Sequence, residues 1–109
     1  MTSLAACLKV ISSISSSQAG LKLSDLDIFE CHDAYAIMAA LSLESVGFVK
    51  KGEALAFAAG GGIRRDGKVP IATSGGLKAR GHPVGASGVY QVVLPAPTIH
   101  FNFYFYELW

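Results

Sequence analysis

With 109 residues, the chain is long enough for at most one small domain, and its net charge of +1 gives no indication of nucleic-acid binding. About half of the residues are hydrophobic (51%) and only 16% are charged, a composition that excludes a largely disordered chain. No apolar run reaches the roughly 18 residues that a membrane-spanning helix needs, so we expect no membrane span.

Two cysteines, Cys7 and Cys31, are too few for a disulfide scaffold, and neither a CxxC motif nor a cluster of metal ligands accompanies them. The sequence therefore predicts no metal site, and it favours a reducing compartment. The N-terminus lacks the basic start and long apolar stretch of a secretory signal. We expect an intracellular protein, in the cytoplasm first of all, with the peroxisome or mitochondrion open for a eukaryotic source.

Positive charge is concentrated between residues 50 and 80, where seven basic side chains stand against two acidic ones. A solvated basic loop accounts for such a cluster, and so does a binding site for an anionic ligand. Charge runs alone do not decide between the two interpretations.

The first third of the chain predicts a helix followed by a buried strand. Apolar residues recur at helical spacing over residues 3–19, and Gly20 suits the left-handed position after a helix. The segment of residues 26–31 is short and mostly apolar, as expected of a strand that is covered on both faces. A second helix is predicted over residues 34–46, with Asp33 as its N-cap. Because this helix is apolar on nearly every side, we expect it to be buried, and Gly47 to end it.

The second half of the chain continues the alternation of helices and strands. In order, the predicted elements are a short helix at 52–59, a loop at 60–68, a strand at 69–73, a glycine-rich loop at 74–81 and a helix at 83–94. Such alternation predicts an α/β layered domain.

The last residues depart from this pattern, so we place a domain at 1–94 and a divergent aromatic tail at 95–109. Two prolines end the preceding helix, and the tail holds six of the eleven aromatic residues of the chain. The alternation of these aromatic residues predicts a strand.

Two histidines, His32 and His82, lie where a strand or loop passes into a predicted helix. Ligand sites of open α/β sheets gather at the carboxyl ends of strands, and helix starts provide free N–H groups and a positive dipole end. This field disfavours imidazolium, so we expect both rings to be neutral. A neutral imidazole can take a proton from a thiol or donate an N–H to an oxyanion.

The sequence GGLKARGHPVGASG (residues 75–88) contains glycines that are unfavourable within a helix. Gly85 and Gly88 each cost about 0.5–1 kcal/mol relative to alanine there. Close packing of the helix on the sheet would explain this cost, and so would close approach of a ligand to the backbone.

This motif closely resembles the glycine-histidine-proline motif of the thiolase family. ECHDAY (residues 30–35) resembles the histidine version of the family's asparagine-glutamate-alanine-phenylalanine loop, as found in sterol-carrier-type and archaeal acetyl-CoA acetyltransferase-like thiolases. The resemblance covers roughly residues 18–93. It implies the C-terminal half of the layered αβαβα thiolase fold, with an incomplete mixed sheet flanked by helices.

The resemblance also implies the function, which is acyl transfer on acyl-CoA thioesters with coenzyme A as substrate and no covalently bound cofactor. His82 matches the histidine that activates the nucleophilic cysteine and helps to form an oxyanion hole, and His32 matches the residue that stabilises the thioester oxygen. Four further positions match the substrate-binding surroundings of the family: Ala34, Tyr35, Gly76 and Gly81. The implied partners are CoA esters, a second copy of the chain, or a thiolase N-terminal half.

The family's two catalytic cysteines have no counterpart here, because one belongs to the N-terminal half and no cysteine follows residue 31. Cys31 should face away from His32, since successive strand residues point to opposite faces, and we expect it in the core. We therefore expect a truncated or frame-shifted chain that is inactive alone. A non-catalytic acyl-CoA-binding or scaffold module and a non-functional fragment remain alternatives. Within the same fold, a β-ketoacyl synthase fits GHPVGASG less well.

Overall fold

The structure of the protein, a computed structural model, describes residues 17–93 and the backbone of residues 103–105. Residues 17–19 form the end of a helix, and Gly20 follows it with a φ of +67°. This confirms the predicted position of Gly20 at a helix end, where only a residue without a Cβ adopts such a φ without strain. The remainder of the predicted first helix, residues 3–16, lies outside the described residues.

Along the described chain, four α-helices lie between two short strands. In chain order, the elements are a 3₁₀ turn (Leu23–Asp25), strand β1 (Ile28–Glu30), helices α1 (Ala36–Val46), α2 (Ala54–Ala59) and α3 (Gly76–Arg80), a second 3₁₀ turn (Val84–Ala86), helix α4 (Ser87–Val93) and strand β2 (Phe103–Phe105). This arrangement, with an incomplete sheet, confirms the predicted α/β class.

Strand β1 forms the centre of the sheet. It pairs in parallel with β2, in a register that places Ile28 opposite Phe103, so the aromatic tail does contain the predicted strand. On its other side β1 makes one parallel bridge, between Phe29 and Ile71. The strand predicted over residues 69–73 is therefore wrong beyond this bridge. The chain turns away because Ala72 has a φ of +44°, which is incompatible with an extended strand.

The hydrophobic core lies between β1 and helix α1. Phe29 of the strand and Cys31 just after it are fully buried against Leu43 and Val46 of the helix. The Phe48 ring lies 5.1 Å from that of Phe29 and extends the core. The prediction that Cys31 belongs to the core is confirmed.

Helix α1 differs from its prediction in its start and in its burial. It begins at Ala36 after an extended Tyr35, and no side chain caps it, so the predicted N-cap role of Asp33 is wrong. Gly47 ends it as predicted, with a φ of 102°. The helix is not buried on all sides, because Ile37 and Leu41 are 58% and 44% exposed. Only one face packs on the described chain, and that face carries the buried residues.

The glycine-rich loop of residues 74–81 contains a helix that the sequence analysis missed. Gly75 and Gly76 have φ values of 95° and 62°, and they turn the chain into α3. The residues that follow these glycines are good helix formers. The next predicted helix starts later than expected, because Pro83 precedes a 3₁₀ turn and the α-helix begins only at Ser87.

The loop after α2 folds back closely on itself. The Gly67 N–H donates to the Arg64 carbonyl (2.8 Å), and the Val69 N–H donates to the Gly62 carbonyl (2.9 Å). A Cβ on Gly67 would lie 2.5 Å from the Gly61 carbonyl oxygen and 2.6 Å from that of Gly62. The backbones can approach in this way only while residue 67 lacks a side chain.

Glu30 is an acidic residue with an exposure of 1% at the end of β1. Its Oε1 has no hydrogen-bond partner within the described chain. Loss of hydration raises the pKa of the Glu30 carboxyl, against the effects of a Thr73 backbone hydrogen bond and the positive charge of Arg80; the Asp33 charge raises it further.

We expect Gly67→Ala to lower the free energy of unfolding by about 1–3 kcal/mol, because the new methyl group overlaps two carbonyl oxygens. Urea denaturation of the full chain measures this change. Gly60→Ala is the matched control, since its Cβ would lie 3.4 Å from the nearest atom, and it should change stability by no more than about 0.5 kcal/mol. Equal effects of the two variants would contradict this account of the loop.

The buried Glu30 should make the folded chain less stable as pH rises. Above the ordinary carboxyl pKa the unfolded chain releases this proton, whereas the folded chain keeps it up to its raised pKa. The folded state then binds more protons, so the free energy of unfolding falls with rising pH in that window. We expect Glu30→Gln to remove this decrease, as measured by denaturation at a series of pH values.

Asp25 should affect the pH dependence of the free energy of unfolding in the opposite direction to Glu30, and Asp25→Asn should remove that effect. Backbone and side-chain hydrogen bonds from Lys22 and Ser24 lower the pKa of Asp25, so its stabilising contribution is present at neutral pH and lost on acidification.

The prediction for Glu30 would be contradicted by parallel pH profiles for wild type and Glu30→Gln, because they would show that the Glu30 carboxyl titrates alike in the folded and unfolded states.

Candidate active site

His82 follows α3 and is held by the first residue of α4. Its Nδ1 lies 2.9 Å from the hydroxyl of Ser87, and Ser87 is completely buried. The contact fixes the ring orientation, and the tautomer decides the chemistry. If Nδ1–H donates to Ser87, then Nε2 can accept a proton; if the hydroxyl donates to Nδ1, then Nε2–H can donate to an oxyanion.

His32 comes two residues after the end of β1 and is 8% exposed. The preceding strand sets its position, and Cys31, between the strand and His32, is buried in the core. The predicted alternation between Cys31 and His32 is confirmed, because the two side chains serve the core and the cleft respectively.

The two histidines meet although they are far apart in the sequence. The ring centroids of His32 and His82 lie 4.7 Å apart with an interplanar angle of 76°, an edge-to-face arrangement. Both rings line one open cleft of about 440 Å³. The cleft is completed by Ala34, Tyr35, Met38, Leu77 and Lys78.

The structure brings together only part of the predicted site. Ala34 and Tyr35 line the cleft beside His32, whereas Gly76 and Gly81 are not among its lining residues. Gly76 is buried, and a Cβ there would overlap the carboxylate of Asp33. The roles of all these residues toward a substrate stay predictions.

Four participants were missed by the sequence analysis: Ser87, Met38, Lys78 and Asp33. Ser87 follows His82 by only five residues, so its hydroxyl was a nearby candidate for the hydrogen-bond partner of the His82 ring. Lys78 is the one member of the basic cluster of residues 50–80 that lines the described cleft. Asp33 Oδ1 accepts the backbone N–H of Leu77 at 2.9 Å, and no local pattern indicates this partner.

Cys31 has no nucleophilic character in this structure. Its side chain is 1% exposed, and burial, with smaller contributions from the charges of Asp33 and Glu30, raises the pKa of its thiol to about 12. Since the thiolate is the reactive form, a thiol in this environment is inert. Cys7 lies outside the described residues.

Residues 17–93 contain neither a metal-binding cluster nor a membrane-spanning helix. No group of three or more histidine, cysteine or acidic side chains in this range is arranged to hold a metal ion. None of the helices in the same range has the length and apolar character needed to cross a membrane.

Comparison with known proteins places the chain in a family. Residues 2–94 match the family model described as thiolase C-terminal domain-like. An acetyl-CoA acetyltransferase of Methanothermobacter thermautotrophicus is 48% identical over 73 residues, which cover 67% of this chain and 19% of that protein. Sterol carrier protein 2 of Gallus gallus is 38% identical over 74 residues, which cover 68% of this chain and 14% of that protein.

The fold comparison agrees with the sequence comparison. A solved structure described as Ltp2-ChsH2(DUF35) aldolase superposes with a TM-score of 0.65 at 29% identity, over 76% of this chain and 23% of the other. The chain thus spans about a fifth or less of the length of the curated relatives described above. Since the family model covers most of its residues, the chain belongs to the thiolase family, as a C-terminal domain-like member.

Proposed function

We propose that this chain supplies the histidine half of a thiolase-type acyl-transfer site that acts on acyl-CoA thioesters. The supporting observation is the edge-to-face contact of His32 and His82, 4.7 Å apart in one cleft, with each ring contributed by a different motif. The acetyl-CoA acetyltransferase among the relatives supports the substrate class.

In this proposal His82 carries the proton and His32 binds the thioester oxygen. With Nδ1–H donated to Ser87, Nε2 of His82 accepts the proton of a cysteine thiol supplied by a thiolase N-terminal half. The thiolate attacks the keto carbon of a 3-ketoacyl-CoA, a C–S bond forms and the C–C bond breaks, and the leaving carbanion takes the proton from His82 to become acetyl-CoA. The sulfur of free CoA then bonds to the acyl carbon as the bond to the cysteine breaks, and the proton of the CoA thiol passes through His82 to the released cysteine.

The walls of the cleft suit an acyl-CoA. Tyr35 and Met38 provide apolar surface beside the histidines, and Lys78 places a positive charge at the same cleft. The phosphates of CoA are anionic, so Lys78 attracts the nucleotide end of the substrate while the thioester reaches the imidazoles.

An apolar surface on the same chain supports association with a second polypeptide. Large hydrophobic side chains of α1 and α4 are more than two-fifths exposed, namely Ile37, Leu41, Val89, Tyr90, Val92 and Val93. Exposed apolar residues on two helices are typical of a surface that another chain covers. We assign this surface to the N-terminal half that carries the nucleophile, and a second copy of the chain is the alternative occupant.

We expect His82→Ala to lower the rate of acetoacetyl-CoA thiolysis by about 10²–10⁴-fold when the chain is combined with a thiolase N-terminal half. The loss follows from the missing proton acceptor, and the decrease in thioester absorbance measures it. Lys68→Ala, an exposed substitution outside the cleft, is the control and should retain wild-type turnover. Turnover of His82→Ala close to wild type would remove His82 from the proposed role, provided that circular dichroism shows both variants folded.

A second candidate function is a non-catalytic module that binds acyl-CoA. The observation that favours it is the state of Cys31, since the thiol nearest in sequence to His32 is buried with a pKa of about 12. Among the described residues, no cysteine thiol lines the cleft to attack a bound thioester.

Calorimetric titration of the chain with acetyl-CoA tests whether the cleft binds a CoA ester at all. We expect Lys78→Ala to raise the Kd about two- to fivefold, because it removes one exposed charge from the cleft, while Lys68→Ala leaves the Kd unchanged. Binding without turnover in the presence of an N-terminal half would favour the non-catalytic function. A Kd that responds equally to the two substitutions would contradict the placement of CoA beside Lys78.

A further inference from the structure

A long-range hydrogen bond connects the two histidine motifs. Asp33 Oδ1 accepts the N–H of Leu77 at 2.9 Å, over a separation of 44 residues. Asp33 is the residue immediately after His32, and Leu77 is the second residue of α3, which ends two residues before His82. The bond therefore joins the segment that carries one imidazole to the helix that leads to the other.

The Asp33 carboxylate packs closely against Gly76 beside this hydrogen bond. A Cβ on Gly76 would overlap Asp33 Oδ2 and lie 2.6 Å from Asp33 Cγ and 2.7 Å from Oδ1. Gly76 also has a φ of +62°, where residues with a side chain are strained. The carboxylate thus occupies the space that any other residue at position 76 would need, and the Asp33 side chain can lie against the backbone there only because residue 76 is glycine.

Asp33 has no role at the start of its own helix that would explain its position. Helix α1 begins at Ala36 with Tyr35 as N-cap and without a side-chain cap. The carboxylate serves the beginning of α3 instead, where the Leu77 N–H has no acceptor within its own helix. A carboxylate that accepts a backbone N–H forms one of the stronger hydrogen bonds in proteins, and this one is partly buried.

We propose that Asp33 is the positioning residue of the histidine pair, holding His32 and His82 edge to face through its bond to Leu77 and its contact with Gly76. The inference rests on the proposed function in one respect, namely that the pair so positioned is the acyl-transfer pair. Asp33 itself touches no reacting atom. Its effect on chemistry is transmitted through the separation and orientation of the two rings.

Amide hydrogen exchange and ring-to-ring nuclear Overhauser effects on the full chain test the positioning without any enzymatic assay. We expect Asp33→Ala to speed exchange of the Leu77 amide about ten- to hundredfold and to abolish the Overhauser effect between the His32 and His82 rings. Asp33→Asn keeps an oxygen acceptor of the same shape, so it should restore most of the ring contact and slow the exchange again.

Asp25→Asn and Asp25→Ala are the matched controls. Asp25 Oδ2 also accepts a backbone N–H, that of Lys22 at 2.8 Å, but in an exposed 3₁₀ turn that contributes nothing to the cleft. These variants should leave both Leu77 exchange and the ring contact as in wild type. A change of equal size in the Asp25 and Asp33 variants would reveal general destabilisation and overturn the proposal.

Gly76→Ala approaches the same contact from the other side, because its methyl group displaces the carboxylate. We expect it to separate the rings in the wild-type background and to have a smaller additional effect in an Asp33→Ala background, where the space is free. Additive effects of the two substitutions would overturn the proposed contact.

Kinetics of the chain combined with an N-terminal half separate this inference from the proposed function. A lower kcat for Asp33→Ala at nearly constant KM, with recovery in Asp33→Asn, supports positioning of the reacting pair. Absence of turnover in every variant, wild type included, contradicts the acyl-transfer function while the exchange and ring measurements still decide the role of Asp33. Unchanged ring contact and unchanged Leu77 exchange in Asp33→Ala contradict the positioning role whatever the turnover.

Discussion

The arrangement of the site depends on two backbone hydrogen bonds that Phe29 forms across the sheet. Its N–H donates to the Pro70 carbonyl (2.9 Å), and its carbonyl accepts the N–H of Ala72 (3.1 Å). Because this pairing is parallel, both segments run in the same direction and their carboxyl ends open at one edge of the sheet. His32 follows Phe29 by three residues, and the segment after Ala72 leads to His82. The two histidines are thus directed to the same edge before any side chain of the cleft is considered.

Packing and polar contacts make different contributions to this arrangement. Burial of a side chain such as Phe29 contributes about 1.5–3 kcal/mol, and the whole of β1 is buried, so packing determines where the strand lies. Packing has little directional preference, however, and does not set the angle between two rings. The directional bonds of Ser87 and Asp33 supply that orientation. The core therefore places the site, and a few hydrogen bonds shape it.

The sequence predicted those features that depend on neighbouring residues. Gly20 and Gly47 end helices because a left-handed residue is a local requirement, and the buried strand before His32 follows from a short apolar run. The predicted start of α1 was wrong because it depended on a contact between residues that are far apart in the sequence. Asp33 has the side chain of an N-cap, but its partner Leu77 lies 44 residues away, and no local pattern records such a contact. The meeting of the two histidines was indicated by their common position at the starts of predicted helices, and the family resemblance added their roles.

The open side of the cleft is what separates the two functions proposed for this chain. Ser87 engages Nδ1 of His82, which leaves Nε2 as the ring atom for chemistry with an incoming group. Tyr35, which lines the same cleft as that ring, is 70% exposed, so much of this surface is uncovered by the described chain. Under the proposed acyl-transfer function, a polypeptide that brings a thiol to this side completes the site, with His82 as proton acceptor and His32 beside the thioester oxygen. Under the alternative, the cleft binds a thioester without cleaving it, because burial keeps the Cys31 thiol protonated in the core.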